Sequence, residues 1–250
     1  MELLIEKLLG FVMVMTRISA FFLVAPVFGW RSIPSMIKVA APVMLAIFFS
    51  ITHPPAVTAE QTSAVQAVLL LGCEATYGLA LGAVANVLFS AAKLGGKIAE
   101  RQMGLSMAQV IDPFTQEHGA PIASLLEMVL ALAFLAANGH HLLLKVIERS
   151  YEVFPAGDIP SAATLAGKML EASSAMFVAG LRLAAPVLAA MLVLLVALAI
   201  LARLVPEMNI FFISFPLRIG LGLAIVTVCV PFINDFVSEM AELMSKMLPL

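Results

Sequence analysis

Six apolar stretches of helical length run along the chain, at about 8–28, 37–51, 65–92, 120–144, 173–205 and 210–237. Runs of roughly 20 apolar residues are long enough to cross a bilayer core as helices. Polar, proline-rich segments separate them. Residues 52–64 carry Pro54-Pro55 and predict an exposed turn, and 205–209 (Val205-Pro206-Glu207-Met208-Asn209) predicts a tight helical hairpin. The segment 145–172 holds Pro155, Gly157 and Pro160 among many charges and predicts a solvent-facing connection with short helical pieces. Beyond Ile233 the pattern turns amphipathic. Phe236, Met240, Leu243, Met244 and Met247 share one face, opposite Asp235, Glu239, Glu242 and Lys246.

The stretches are uneven, which argues against six independent spanning rods. Residues 37–51 are short for a bilayer and contain Pro42. Residues 173–205 would form a helix about 50 Å long against a hydrocarbon core of about 30 Å. Prolines recur inside apolar runs at Pro42, Pro186, Pro216 and Pro231. Each removes a helix hydrogen bond, and at membrane depth the freed carbonyl needs a neighbour.

Composition fixes the broad class. The 250 residues are 62% hydrophobic and 12% charged, with a mean hydropathy of +1.06; soluble domains are about half apolar and a quarter charged. That excess cannot all enter one core, so lipid or other subunits must cover it. A net charge of −2 gives no reason to expect nucleic acid. Ionisable residues nevertheless sit within the apolar stretches: Arg17, Glu74, Glu127, Arg182 and Arg218. Facing lipid they would be costly, so they are expected to face protein or water. Six crossings would place Lys7, Lys145, Arg149, Lys168 and Lys246 on one side, and Arg31, Lys38, Lys93, Lys97, Arg101 and Arg203 on the other. This balance gives no orientation under the positive-inside rule. The acidic start, Glu2 and Glu6 around a single Lys7, lacks the basic region of a signal peptide and is read as retained. Cys73 and Cys229 lie in apolar runs and are expected to be buried free thiols.

No enzyme motif is present: no H-E-x-x-H, no G-x-S-x-G and no Walker A. His140 and His141 are adjacent on a predicted helix, so their rings should diverge, and they read as a polar helix end with no metal or cofactor. Glu74 and Glu127 admit two readings, proton relay or pairing with an arginine on a neighbouring helix. Ala75, Gly78, Gly82 and Ala85 line one face of the third stretch at the spacing that lets helix backbones meet closely. Between the third and fourth stretches, residues 93–119 combine Gly95, Gly96 and Gly104 with Met103 and Met107. Two readings stand: an amphipathic connector, or a soft seal in which unbranched methionines re-pack when something passes.

An ordered set of short motifs gives the chain a resemblance. They are Thr16-Arg17-Ile18-Ser19-Ala20-Phe21-Phe22, Ala25-Pro26-Val27-Phe28-Gly29, Ile33-Pro34, Gly95-Gly96, Gln102-Met103-Gly104 and Asp112-Pro113. There follow Asn138-Gly139-His140-His141, Ser150-Tyr151, Ala185-Pro186, Ala202-Arg203, Pro206-Glu207-Met208-Asn209-Ile210-Phe211 and Phe215-Pro216-Leu217-Arg218-Ile219. Together, over residues 16–222, they resemble the FliR family, the flagellar type III export-gate subunit related to the T subunit of secretion-system export apparatus. Glu207 departs from the pattern, which usually has glutamine after the hairpin proline.

The resemblance implies an all-α membrane protein of kinked helical hairpins, built into a gate with FliP-like and FliQ-like subunits and one copy of this chain. It implies a FliP-like part over 1–172, a plug loop near 93–119, and a FliQ-like hairpin with an amphipathic tail over 173–250. The expected function is non-enzymatic: part of a closed channel that passes unfolded flagellar substrates across the bacterial cytoplasmic membrane at the flagellar basal body. Gly95, Gly96, Met103, Gly104 and Met107 would form the plug. Arg17, Glu74, Glu127, Arg182, Arg203, Glu207 and Arg218 would make contacts between helices or subunits. A rival from another class is a stand-alone proton-coupled transporter of small molecules working through Glu74 and Glu127.

Overall fold

A computed structural model describes residues 2–30, 33–52, 63–105, 120–158, 160–207 and 209–248, and among them the only regular structure is helical. The helices are α1 (Glu2–Val24), α2 (Ser35–Thr52), α3 (Ala64–Phe89), α4 (Ala91–Met103), α5 (Pro121–Ala136), α6 (Gly139–Val153), α7 (Ala162–Leu204), α8 (Ile210–Cys229) and α9 (Ile233–Met247). Five helical segments are long and apolar enough to cross a membrane, or six if α5 and α6 count as one broken span.

The apolar pattern therefore predicts the helices, but three stretches break where hydropathy is blind. The third divides at Ser90 into α3 and α4. The fourth breaks because Asn138 takes a left-handed backbone, φ 58, a conformation asparagine tolerates better than most residues. The last pauses at Val230–Phe232, a 3₁₀ turn containing Pro231, whose missing N–H cannot continue the α ladder. Other expectations shift as well. Helix α6 runs through Val153, so the connection between α6 and α7 is shorter than the sequence suggested. Cys73 and Cys229 are free thiols but only half-buried.

The chain forms two compact units that cut across the linear division at residue 172. One gathers residues 1–89, 138–174 and 239–250; the other gathers 90–137 and 175–238. In the first, α1 packs on α3 and α2. The small-residue face of α3 explains the closeness. A Cβ at Gly78 would collide with the Arg17 carbonyl, and one at Gly82 would stand 2.8 Å from the Phe21 carbonyl. Around this contact Met13, Val14, Ile18, Phe21, Leu81 and Leu88 are buried.

In the second unit α4 packs antiparallel on α5 and also touches α8. Glycine again sets the spacing. A Cβ at Gly96 would lie 2.5 Å from the Ala123 Cα, and one at Gly95 would lie 2.9 Å from the Gly180 carbonyl on α7. Elsewhere large apolar side chains such as Met36, Leu170, Leu192 and Phe212 stay exposed. An apolar surface of this extent marks contact with lipid or other protein.

Candidate functional site

The first unit is organised around a buried ion pair. Arg17 on α1 and Glu74 on α3 are 1% and 0% exposed and meet in a fork: Nε donates to Oε2 at 2.6 Å and Nη2 to Oε1 at 3.0 Å. Bidentate guanidinium–carboxylate pairs are among the stronger hydrogen-bonded arrangements. The remaining guanidinium hydrogens go to backbone at the C-terminal end of α6. Nη1 donates to the carbonyls of Phe154 at 2.8 Å and Ser150 at 3.2 Å, the latter also accepting the Phe154 N–H at 3.0 Å. Glu74 Oε1 also accepts the Gly157 N–H at 2.7 Å.

Two aromatic rings flank the guanidinium, Tyr77 at 4.7 Å and Tyr151 at 4.3 Å from its carbon, within cation–π range. Tyr77 is there because it lies one turn from Glu74 on the same face of α3. Tyr151 is fixed by donating its O–H to the Val14 carbonyl at 3.0 Å. Both Glu74 oxygens and the guanidinium are thus committed. The arrangement is a tie between α1, α3 and the α6 end, the pairing reading of Glu74.

The second unit is organised around α4. The residues 93–103, expected to lie in a flexible loop, are helical, so Gly95 and Gly96 serve as flat contact faces and not as hinges. The connector starts at Gly104, whose φ of 82 is the left-handed C-cap that glycine adopts without strain. Residues 106–119, including Met107 and Asp112-Pro113, lie outside the described residues. Three contacts down one side of α4 meet α5 in reverse order. Lys93 pairs with Glu127 at 3.0 Å, Gly96 abuts Ala123, and Glu100 faces the backbone N–H groups of Ile122 and Ala123.

Glu100 was not among the sequence candidates, yet it is 3% exposed. Helix α5 begins at Ala120-Pro121 with no side-chain cap of its own, so a carboxylate from α4 stands where a capping acid would help. Its Oε1 has no hydrogen-bond partner among the described residues.

One turn further, Met103 is fully buried. Its Cγ, Sδ and Cε fill the space above Gly222 on α8, where a Cβ would come within 2.5–2.7 Å of them. Phe215 lies next to Gly104 on the same side. A methionine is thus keyed into a glycine socket at the start of the connector. Sequence could not pair these two residues, because nothing in the pattern of α8 singles out Gly222 as the partner.

The remaining predicted residues are not drawn together. Arg182 and Arg203 lie exposed on α7, Glu207 is exposed in the α7–α8 turn, and Arg218 is half-buried on α8. The His140 and His141 rings, expected to diverge, sit 4.3 Å apart between centroids. Among the described residues no group of three His, Cys, Asp or Glu could hold a metal ion.

Fold and sites together define an all-α integral membrane protein with a charge-locked helical frame and a methionine-keyed hairpin. Similarity narrows the class. The chain matches Bacterial export proteins, family 1, over residues 8–244, and it belongs to that family. It is 34% identical over 242 residues to the flagellar biosynthetic protein FliR of Bacillus subtilis, covering 93% of this chain and 90% of that one. The Escherichia coli flagellar biosynthetic protein FliR is 30% identical over 222 residues, 88% of this chain and 84% of the relative. The Yop proteins translocation protein T of Yersinia pestis is 24% identical over 239 residues, covering 93% of this chain and 90% of that one.

Proposed function

We propose that this chain is a membrane-embedded component of a type III protein export apparatus, of the flagellar kind, and forms part of a closed channel for unfolded substrates. Membership of the export family and the flagellar names of its relatives support this reading. They also set aside the stand-alone transporter. The role is structural and not enzymatic. Its place is the cytoplasmic membrane at the flagellar basal body, with one copy assembling with FliP-like and FliQ-like subunits. In that assembly residues 1–172 correspond to the FliP-like part and 173–250 to the FliQ-like part. Arg182, Arg203, Glu207 and Arg218 supply polar contacts to neighbouring subunits.

The observation that carries the closed-channel reading is the seating of Met103 above Gly222. The segment that leaves from Gly104 then acts as the plug, and Met103 and Met107 supply its soft apolar character. Methionine suits this task because its unbranched thioether re-packs around an irregular partner. Mild-detergent purification from native membranes tests the assembly. The expected result is co-purification with FliP-like and FliQ-like subunits, and aggregation when the chain is expressed without them. A monodisperse, thermally stable monomer purified alone contradicts the reading.

A further inference from the structure

The first unit contains a groove that the export reading leaves unused. Met15, Ser19, Phe22 and Leu23 of α1 form one wall and Val39 and Pro42 of α2 the other, while Phe28 and Gly29 of the intervening turn close one end. Its volume is about 470 Å³, within the range of small-molecule pockets. From Leu23 to Met15 the α1 wall runs about 12 Å at the helical rise. The floor is apolar, and Lys38 is its one ionisable lining residue. Lys38 Nζ donates to the Gly29 carbonyl at 3.3 Å, which leaves further ammonium hydrogens, and no carboxylate pairs with it among the described residues.

The position of that lysine is informative. Both helices are long and apolar enough to span a bilayer. Lys38 lies in the first turn of α2 and Leu23 in the last turn of α1, so the charged end of the groove coincides with one end of both candidate spans. A cation at the end of an apolar groove is complementary to the phosphate and acyl chain of a phospholipid. The turn at that end is firmly set. Phe28 packs on Phe22 with ring centroids 4.5 Å apart, and Val27 is held at φ 69, a conformation costly for a β-branched residue and kept only where surroundings enforce it. The groove is therefore preformed.

We propose that the α1–α2 groove binds an anionic phospholipid, with the phosphate on the Lys38 ammonium and one acyl chain along Phe22, Ser19 and Met15. An anionic headgroup is selected because, among the described residues, the groove offers one cation and no carboxylate for the amine of a zwitterionic lipid. A partner protein segment would have to bring its own carboxylate to the span end and an apolar run below it, and it is the alternative outcome of the test.

The test uses the complete detergent-purified assembly, incubated with phosphatidylglycerol or phosphatidylcholine and weighed by native mass spectrometry. Wild type should retain phosphatidylglycerol over phosphatidylcholine. Lys38→Gln should lower phosphatidylglycerol retention about fivefold, the effect of one cation near a membrane surface. Ser19→Phe, which fills the groove with Lys38 intact, should abolish the specific adduct. If that variant does not accumulate, Val39→Trp closes the mouth from the exposed rim and should do the same. Equal retention in wild type and Lys38→Gln overturns the proposal. So does a photocrosslinker at Val39 that captures protein in place of lipid. These readouts do not depend on export, so failure here leaves the function above standing.

Discussion

The two compact units are held by opposite means. The first is tied by a charged centre whose hydrogen bonds are nearly all made: Arg17 and Glu74 reach each other and the backbone of Ser150, Phe154 and Gly157. The second is held by close glycine contacts, one exposed ion pair and a methionine seated on a glycine. Buried charge is unforgiving of movement, because separating the partners leaves each desolvated and unpaired. Apolar contact between a methionine and a flat helix face can open and close at small cost. Stiff charge pairing is thus the means of the first unit and adaptable apolar contact that of the second.

The sharpest way to break this comparison is to unpair the frame. Glu74→Ala leaves the Arg17 guanidinium buried beside two tyrosine rings and should destabilise the protein by about 3–5 kcal/mol. The chain should fall to trace levels on an immunoblot of membranes. Normal accumulation would mean the pair is not what holds α1 to α3.

A smaller effect is expected at the loop end of the second unit. Glu100→Ala removes the acid facing the N-terminus of α5, worth about 1 kcal/mol as a cap. Glu100→Gln keeps an acceptor there and should lose less. Thermal unfolding of the purified assembly ranks the two, and equal losses would show that Glu100 does not act as a cap.

The smallest effect is expected at Lys93–Glu127, whose side chains are 45% and 26% exposed. Pairs of that kind contribute about 0–1 kcal/mol, so Glu127→Gln should leave accumulation and swimming unchanged. Loss of motility at normal protein levels would instead give Glu127 a direct part in export.

Much of the fold was legible because bilayer-length apolar runs leave few alternatives to helix. The helix break around Pro206 and the amphipathic face of α9 followed from spacing alone. The break at Ser90 was not legible, since Phe89-Ser90-Ala91 has neither glycine nor proline. The glycine face of α3 was visible as a pattern, while Gly95 and Gly96 were placed in a plug loop only by the resemblance; both sets give close approach of helix backbones. Arg17 and Glu74 stood out because charge in an apolar stretch is conspicuous. Glu100 did not, because α4 is polar enough to hide one more acid. Its burial and the Met103–Gly222 contact are tertiary facts that no local pattern encodes.

Membrane leak through the resting assembly tests the central claim most directly. Met103→Ala empties a fully buried site, a change that typically costs about 2–5 kcal/mol, and Gly222→Ala puts a methyl where the Met103 side chain now sits. In cells expressing the complete gate, both variants should raise small-ion conductance while immunoblots show normal protein levels. Unchanged conductance in both, at normal abundance, would contradict a closure built on Met103.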